Sequence, residues 1–528
     1  MCGIWLSISN NNYYHEYNNI KNRGPDMSVY QKIKNVAIGF HRLAILEPNF
    51  NAIQPYIYNN KILICNGEIY NFKELIKEYD LTINNNADCL TILHLYEKLN
   101  FDDFFNIFKK NKIIGEYAFI IIEFDENQNF KKLVASRDHI GVRPLYYYKN
   151  DDEIRFSSEI KGMSKAEEFP PGNFFIYNSD KSNELIDFKT IYEIKPIYDK
   201  PEEYYLERIR NAVINSVKRR LISDKPLSFL LSGGVDSSII AAVASKLLNK
   251  PINTYCCGME DGTDLEYANK VAKFINSNHT QVIFTPEEAL TSIKDVIWIT
   301  ETWDVTTIRA SVGQYLVCKY ISDNSDAKVV LVGEGPDEVC SSYMFNYYAP
   351  NGEELHNAAK EYVEKIHLFD GRRADRCISY CGMEGRVPYL DLEFIEAYWE
   401  IPPEWRHPKY KGIEKWWLRK AFDNQGYLPD EVLWRKKDAF SDAISSKKKR
   451  WYEIIQDSLP NTKCNDKNVA EKEYYKGIFV DYYGEQNINV LPHYWQPKWI
   501  NNNNNFINPS ATILDVYSHY HNNIKKNN

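Results

Sequence analysis

Several things are missing from this 528-residue chain, and each absence excludes a class of protein. No apolar run approaches the ~18 residues that a membrane-spanning helix needs. The first residues carry neither a basic segment nor a long apolar stretch, so no secretory signal is visible. No CxxC pair occurs, which argues against a zinc ribbon. The ten cysteines (Cys2, Cys65, Cys89, Cys256, Cys257, Cys318, Cys340, Cys377, Cys381 and Cys464) are scattered. Reduced thiols in a cytosolic protein are the simplest reading, and a cytoplasmic location is expected. A net charge of −8 is small for this length and argues against general nucleic-acid binding. No internal repeat is found.

What is present is ordinary for a globular protein: 44% hydrophobic and 26% charged residues, in a chain long enough for two or three domains. Before residue 190 short β-rich segments dominate: Val36 to Phe40, Lys61 to Cys65, Tyr117 to Phe124, Lys132 to Ser136, Leu145 to Tyr148 and Phe174 to Tyr177. Turn residues separate them, as in stacked antiparallel sheets. Leu75 to Tyr79 and Leu90 to Leu99 read as helices. Ile194 to Glu202, with Pro196 and Pro201, suits a linker. Beyond it, strands at Leu227–Leu231, Ile252–Cys257, Thr280–Phe284 and Val329–Val332 alternate with helical patterns at Ser237–Leu248 and Asp264–Ile275. That order predicts a parallel sheet covered by helices, with ligands beyond the carboxyl ends of its strands. From about residue 350 the chain reads as mostly helical. Asn501 to Asn505 is a pure Asn tract, read as a disordered surface loop.

Two features carry chemistry. The chain begins Met1-Cys2-Gly3-Ile4, and loss of Met1 would leave a thiol beside its own α-amine, a nucleophile and a base in one residue. The strand ending at Leu231 runs into Ser232-Gly233-Gly234-Val235-Asp236-Ser237-Ser238 and then a helix. Two glycines, three hydroxyls and a helix N-terminus suit a phosphate or pyrophosphate. This is not the G-x-x-x-x-G-K-[ST] loop, because it has no Lys. A second loop, Gly333-Glu334-Gly335-Pro336-Asp337-Glu338, follows a later strand. If the two loops face each other, Asp236 and Asp337 are placed to share a magnesium ion.

These residues resemble known families. SGGVDSS is similar to the pyrophosphate loop of ATP pyrophosphatases. MCGI, Arg23 to Asp26, Asn66-Gly67-Glu68 and Arg137 to Tyr147 resemble N-terminal-nucleophile glutamine amidotransferases. Both halves in this order resemble the glutamine-hydrolysing asparagine synthetases of the B type, and Thr302 to Ser311 and Glu384 to Asp391 strengthen the match. The resemblance spans roughly residues 2 to 445. It implies an α/β and α+β two-domain chain. Residues 2–190 would form a four-layer αββα N-terminal-nucleophile hydrolase domain, the glutaminase. Residues 205–450 would form a doubly wound parallel sheet with a helical extension, the ATP-dependent synthetase domain. Residues 451–528 would be a partly disordered C-terminal extension.

The activity it implies is that of a ligase of asparagine biosynthesis, with L-glutamine, L-aspartate and ATP as substrates and Mg2+ as cofactor. No nucleic-acid or membrane partner is expected; a homodimer is. Cys2 would attack the glutamine amide, with Asn66 and Gly67 as oxyanion donors. Glutamine would sit among Arg42, Leu43, Ala44, Ile45, Leu46, Asn66, Gly67, Glu68 and Asp88, with Arg42 on its carboxylate and Glu68 and Asp88 on its ammonium. ATP would touch Leu231, Ser232, Gly233, Gly234, Asp236, Ser237, Ser238, Cys257, Val332 and Gly333. Thr306, Arg309 and Asp370 resemble aspartate-site positions. Glu334 matches a residue linked to intermediate formation and to deprotonating ammonia. Lys437 matches a transition-state lysine, chosen over Lys436 by its spacing to Phe440-Ser441-Asp442.

Four positions depart from the family pattern: Asn22, Pro336, the pair Ser341-Ser342, and Gly385. None removes a charged chemical group. Two rival readings are an amidating relative with another acceptor acid and a non-catalytic nucleotide-binding protein. The retained Cys2, Asn66, Asp236, Glu334 and Lys437 argue against the second.

Overall fold

The structure is a computed structural model that describes residues 1–260, 262–435, 445, 449–460, 466–490 and 497–499. Lys437 and the Asn501–Asn505 tract lie outside the described residues.

The N-terminal half is built on two six-stranded antiparallel sheets. The first runs Glu167–Glu168, Tyr146–Lys149, Ile154–Ser157, Gly3–Ile8, Val36–Arg42, Met27–Ile33. The second runs Asn183–Asp187, Asn173–Asn178, Phe130–Arg137, Gly115–Phe124, Lys61–Ile69, Tyr56–Tyr58. Their side chains follow the period of two that a pleated strand imposes. Ile62 and Ile64 turn inward to meet Ile4, Leu6, Ile38 and Phe40 of the other sheet. Leu63 and Cys65 turn outward to the helices Leu90–Lys98 and Phe101–Lys109, which present Ile92, Leu93, Phe104 and Phe108. The outer face of the first sheet carries Trp5 and Ala37 under Tyr17 and Ile20, from the segment holding the five-residue helix Tyr14–Asn18. This is the expected αββα layering, with one helical layer thin.

The C-terminal half holds a five-stranded sheet, every pair parallel, in the order Asn278–Ile283, Asn253–Gly258, Leu227–Leu230, Val329–Leu331, Glu384–Arg386. The strand order reverses at Leu227–Leu230, which has its successor on one side and a later strand on the other. That reversal opens the crevice in which doubly wound sheets bind ligands. The fold class therefore agrees with the sequence reading.

Three of the departing residues, Pro336, Ser341 and Gly385, can be described in the structure. Pro336 sits at the first position of the helix Pro336–Val339, where a missing N–H costs nothing. Ser341 adopts φ 55°, the left-handed region where glycine is at ease, so a residue with a Cβ holds it at some strain. A Cβ on Gly385 would stand 2.8 Å from Ile378 Cδ1, the movable tip of a side chain, so a small residue there asks only a shift of that methyl.

The C-terminal segment differs from the expectation of an extension beyond the synthetase domain. Helices Trp451–Ser458 and Lys467–Tyr483 bury Trp451, Ile455, Tyr475, Phe479 and Tyr483 in the same core as the parallel sheet. Glu471 is fully buried and grips Arg309 with both oxygens, at 2.8 and 2.5 Å. Asn487 reaches the other half of the chain, accepting from Ala166 N–H and donating to Ser164 C=O. Local pattern could not show this, since helix Lys467–Tyr483 earns its place through contacts 160 residues away in sequence. Glu471→Ala removes one partner of a buried bidentate pair and is expected to cost about 3–5 kcal/mol, read as a lowered denaturant midpoint. A loss under about 1 kcal/mol would match a solvent-screened pair instead.

Candidate active sites

The first candidate site gathers around the N-terminus. Met1 is buried, and its ammonium donates to Met383 C=O at 3.1 Å. Its sulfur lies against the guanidiniums of Arg23 and Arg143. Burial pushes that amine down to about 5, with Glu384 opposing. Cys2 follows at the start of the strand Gly3–Ile8, its thiol 3.9 Å from Leu43 C=O. Burial raises the thiol to about 11, against the pull of the neighbouring N-terminus. Burial first, then Cys89, Asp88 and Cys2, raises the Tyr56 hydroxyl well above its ordinary range, with Arg42 opposing.

Asn66 lies mid-strand in Lys61–Ile69 and is fully buried, yet neither amide atom has a hydrogen-bond partner among the described residues. Such a group is costly unless a ligand completes it. Beside it, Gly67 crosses the neighbouring strand so closely that a Cβ would stand 2.2 Å from Glu116 C=O. Only glycine fits there. Glu68 and Asp88 are buried together. Burial first, then Asp88 and Glu384, lifts the Glu68 carboxyl well above the usual range. Burial lifts Asp88 to about 6, although it accepts from Ile69 N–H at 2.6 Å. Crowded, desolvated carboxylates favour a cation among them.

The Arg42 guanidinium donates to the carbonyls of Asn49 at 2.5 Å and Glu47 at 2.7 Å, bracing the loop after Leu46.

The second candidate site lies at the reversal of the parallel sheet. Gly233 takes φ +73°, and a Cβ there would strike Ala268 N at 2.5 Å. The Ser232 and Ser237 hydroxyls are 3.0 Å apart, and the buried Ser238 hydroxyl has no partner among the described residues. The fourteen-residue helix Val235–Leu248 aims its N-terminus at this loop. Leu231 N–H donates to Tyr255 C=O, the Cys257 thiol to Gly313 C=O, and Val332 N–H to Arg386 C=O, which ties the strand ends around the crevice.

The two loops do face each other. A Cβ on Gly333 would come within 2.9 Å of Ser237 N. Asp236 Oδ2 and Asp337 Oδ1 each lie 2.5 Å from one atom, Nζ of Lys415. Two carboxylate oxygens converging on a single point suit a magnesium ion, whose bonds are about 2.0–2.1 Å. Among the described residues these two carboxylates are the donors present, and a lysine ammonium stands where the sequence suggested an ion.

Glu334 begins a third group. It accepts from Gln314 Nε2 at 3.0 Å and lies 3.4 Å from Arg373, which also pairs with Asp370 at 3.0 Å. Tyr343 O–H donates to Glu338 and Asp370. Burial raises the Glu334 carboxyl, with Arg373 opposing and Asp370 adding. Thr306 stands half-buried at the start of the helix Val305–Asn324. Arg309, on the same helix, is instead buried against Glu471, so the expected set Thr306, Arg309 and Asp370 does not converge as a unit. Gln314, Arg373 and Lys415 belong to these groups and carried no sequence motif; only their neighbours reveal them.

The two sites meet across a buried ionic seam. Arg386, on the sheet strand Glu384–Arg386, lies 3.4 Å from Glu68 and 2.8 Å from Glu384. Arg143 joins Glu116 at 2.8 Å and Glu384 at 3.8 Å. Arg23 joins Glu159 at 2.7 Å and Asp375 at 2.8 Å.

Comparison with known proteins agrees with this two-part arrangement. Residues 1–188 match the glutamine amidotransferase domain, and residues 208–362 and 349–499 match asparagine synthase. A probable glutamine-hydrolysing asparagine synthetase of Acanthamoeba polyphaga mimivirus is 36% identical, over 94% of this chain and 95% of its own. The rat and human glutamine-hydrolysing asparagine synthetases are 35% and 34% identical, each over 98% of this chain and 99% of their own. A solved glutamine phosphoribosylpyrophosphate amidotransferase from B. subtilis is 14% identical, covers 72% of this chain and 95% of its own, and has a TM-score of 0.31. With both halves matched in order and its relatives spanned almost end to end, the chain belongs to the glutamine-hydrolysing asparagine synthetase family of ligases.

Proposed function

We propose that this protein makes L-asparagine from L-aspartate, using ATP and nitrogen from glutamine. Residues 2–190 act as the glutaminase. The synthetase unit begins near residue 205 and takes in the helices up to Tyr483. The observation that carries the reading is the seam itself. The Glu68–Arg386 contact joins the pocket around Cys2 to the sheet that bears both nucleotide loops. A pocket that releases nitrogen and a crevice that activates an acid then share one interface.

Removal of Met1 exposes the α-amine of Cys2. A free α-amine beside the thiol accepts the thiol proton as the sulfur attacks. The sulfur attacks the side-chain carbonyl carbon of glutamine. Charge builds on the amide oxygen, where the Asn66 amide and Gly67 N–H donate. Ammonia leaves, and water cleaves the thioester to glutamate. Glu68 and Asp88 hold the substrate ammonium, which relieves their own crowding.

In the second site, Ser232 to Ser238 cradle the β- and γ-phosphates. Asp236 and Asp337 would hold magnesium, which offsets phosphate charge. The β-carboxylate of aspartate attacks the α-phosphorus, pyrophosphate leaves, and β-aspartyl-AMP forms. Ammonia then attacks the activated carbonyl and AMP leaves. Glu334, with its raised pKa, takes the proton that ammonia sheds. Lys437 supports the charged transition state.

The direct test is isotope exchange between pyrophosphate and ATP in the full-length enzyme. Exchange that depends on aspartate is expected. Exchange with another acid only would point to a relative with a different acceptor, and no exchange with any acid would remove the ligase reading. Cys2→Ala is expected to lower glutamine-dependent synthesis at least ~1,000-fold while leaving synthesis from ammonia within about twofold; equal loss of both would contradict two separate sites. Asn66→Ala should lower the kcat of glutamine hydrolysis by about 100- to 1,000-fold with little change in stability, since the side chain has no internal bond to lose. A drop in stability with unchanged kcat would make Asn66 structural.

A further inference from the structure

Lys415 lies outside every motif that the sequence offered. Its backbone is left-handed, φ 55°, just ahead of the helix Trp416–Phe422. A residue with a Cβ keeps that conformation only where its surroundings hold it. Its side chain is 2% exposed, and its ammonium stands 2.5 Å from Asp236 Oδ2 and 2.5 Å from Asp337 Oδ1. One carboxylate comes from each of the two loops that line the sheet's crevice.

The ammonium therefore occupies the point at which a divalent ion bound by both aspartates would sit. Lysine and metal cannot share it, because two cations a few Å apart repel strongly in a buried site. A nucleotide eases that repulsion, since its phosphate oxygens supply further negative charge for both cations. We propose that Lys415 is a built-in counter-ion that fills the metal position of the nucleotide-free enzyme and yields it when metal arrives with a nucleotide. The inference rests on reading these two loops as the nucleotide site. Its consequence is ordered loading: free divalent metal finds the position taken, and the metal–nucleotide complex displaces the lysine because it binds the displaced state better.

The test is a titration of the full-length protein with Mn2+ alone, followed by the electron paramagnetic resonance signal of free Mn2+. The wild type is expected to show no stoichiometric site without nucleotide. Lys415→Met is expected to gain one, at least ~10-fold tighter than any wild-type binding. Lys415→Arg, which keeps the charge, should not gain it. Asp337→Asn added to Lys415→Met should lose it. Where circular dichroism shows the methionine variant unfolded, Lys415→Gln takes its place. A stoichiometric Mn2+ site in the wild type overturns the proposal whatever the variants do, as does a folded Lys415→Met that gains none. Binding of a non-hydrolysable ATP analogue with Mn2+ to the wild type separates the two layers. No analogue binding removes the nucleotide site and the proposal with it. Analogue binding without a gained site removes the role of Lys415 alone.

Discussion

Glu384 is the group on which the two halves of this protein turn. It sits on the last strand of the parallel sheet, buried, with Arg386 at 2.8 Å and Arg143 of the amidotransferase half at 3.8 Å. Burial would protonate it, but Arg386 and Arg143 hold it ionised. Arg143 leans in turn on Glu116, and Glu116 on Arg220 of the synthetase half at 2.9 Å. Charges of this kind are affordable inside a protein only when every member is paired. Neither half supplies all the partners. The seam is thus a constraint on docking: separate the halves, and each keeps guanidiniums and carboxylates that lose their counter-charges. This makes the interface specific, whatever its net contribution to stability.

Both candidate sites inherit their properties from that seam. Glu68 reaches Arg386, so the carboxylates that would receive a substrate ammonium feel the charge of the other half directly. The N-terminal amine donates to Met383 C=O, and burial there pushes its pKa down to about 5. On the far side, the strand Glu384–Arg386 neighbours Val329–Leu331, which leads into the Glu334 loop. One short strand thus stands between the two candidate sites.

A good part of this was legible in the amino-acid order. Strands such as Lys61–Ile69 and Gly115–Phe124 show as short β-branched and aromatic apolar runs bounded by turn residues. The parallel sheet followed from alternating apolar strands and helical patterns. Cys2, Asn66-Gly67-Glu68 and Ser232 to Ser238 stood out because backbone approach and phosphate binding demand particular residues at adjacent positions. The helix Phe101–Lys109, with Phe104 and Phe108 in its buried face, was not read, and neither was the strand Gly3–Ile8, where every residue is buried and no alternation shows.

By itself, then, the sequence determined the chemistry available: a thiol at position 2, a glycine–serine phosphate loop, carboxylates beyond two strand ends. Tertiary structure alone decided how the charges are matched. It turned Arg42 onto loop carbonyls, gave Arg309 to Glu471, and set Lys415 between Asp236 and Asp337. It also drew the C-terminal helices into the core. The physical reason is range. Hydrogen-bonding motifs and side-chain periodicity act over a few residues and leave their mark in local order. The energy of a buried charge depends on which other charge the fold brings within a few Å, and that partner here lies up to 350 residues away, as Asp375 does from Arg23.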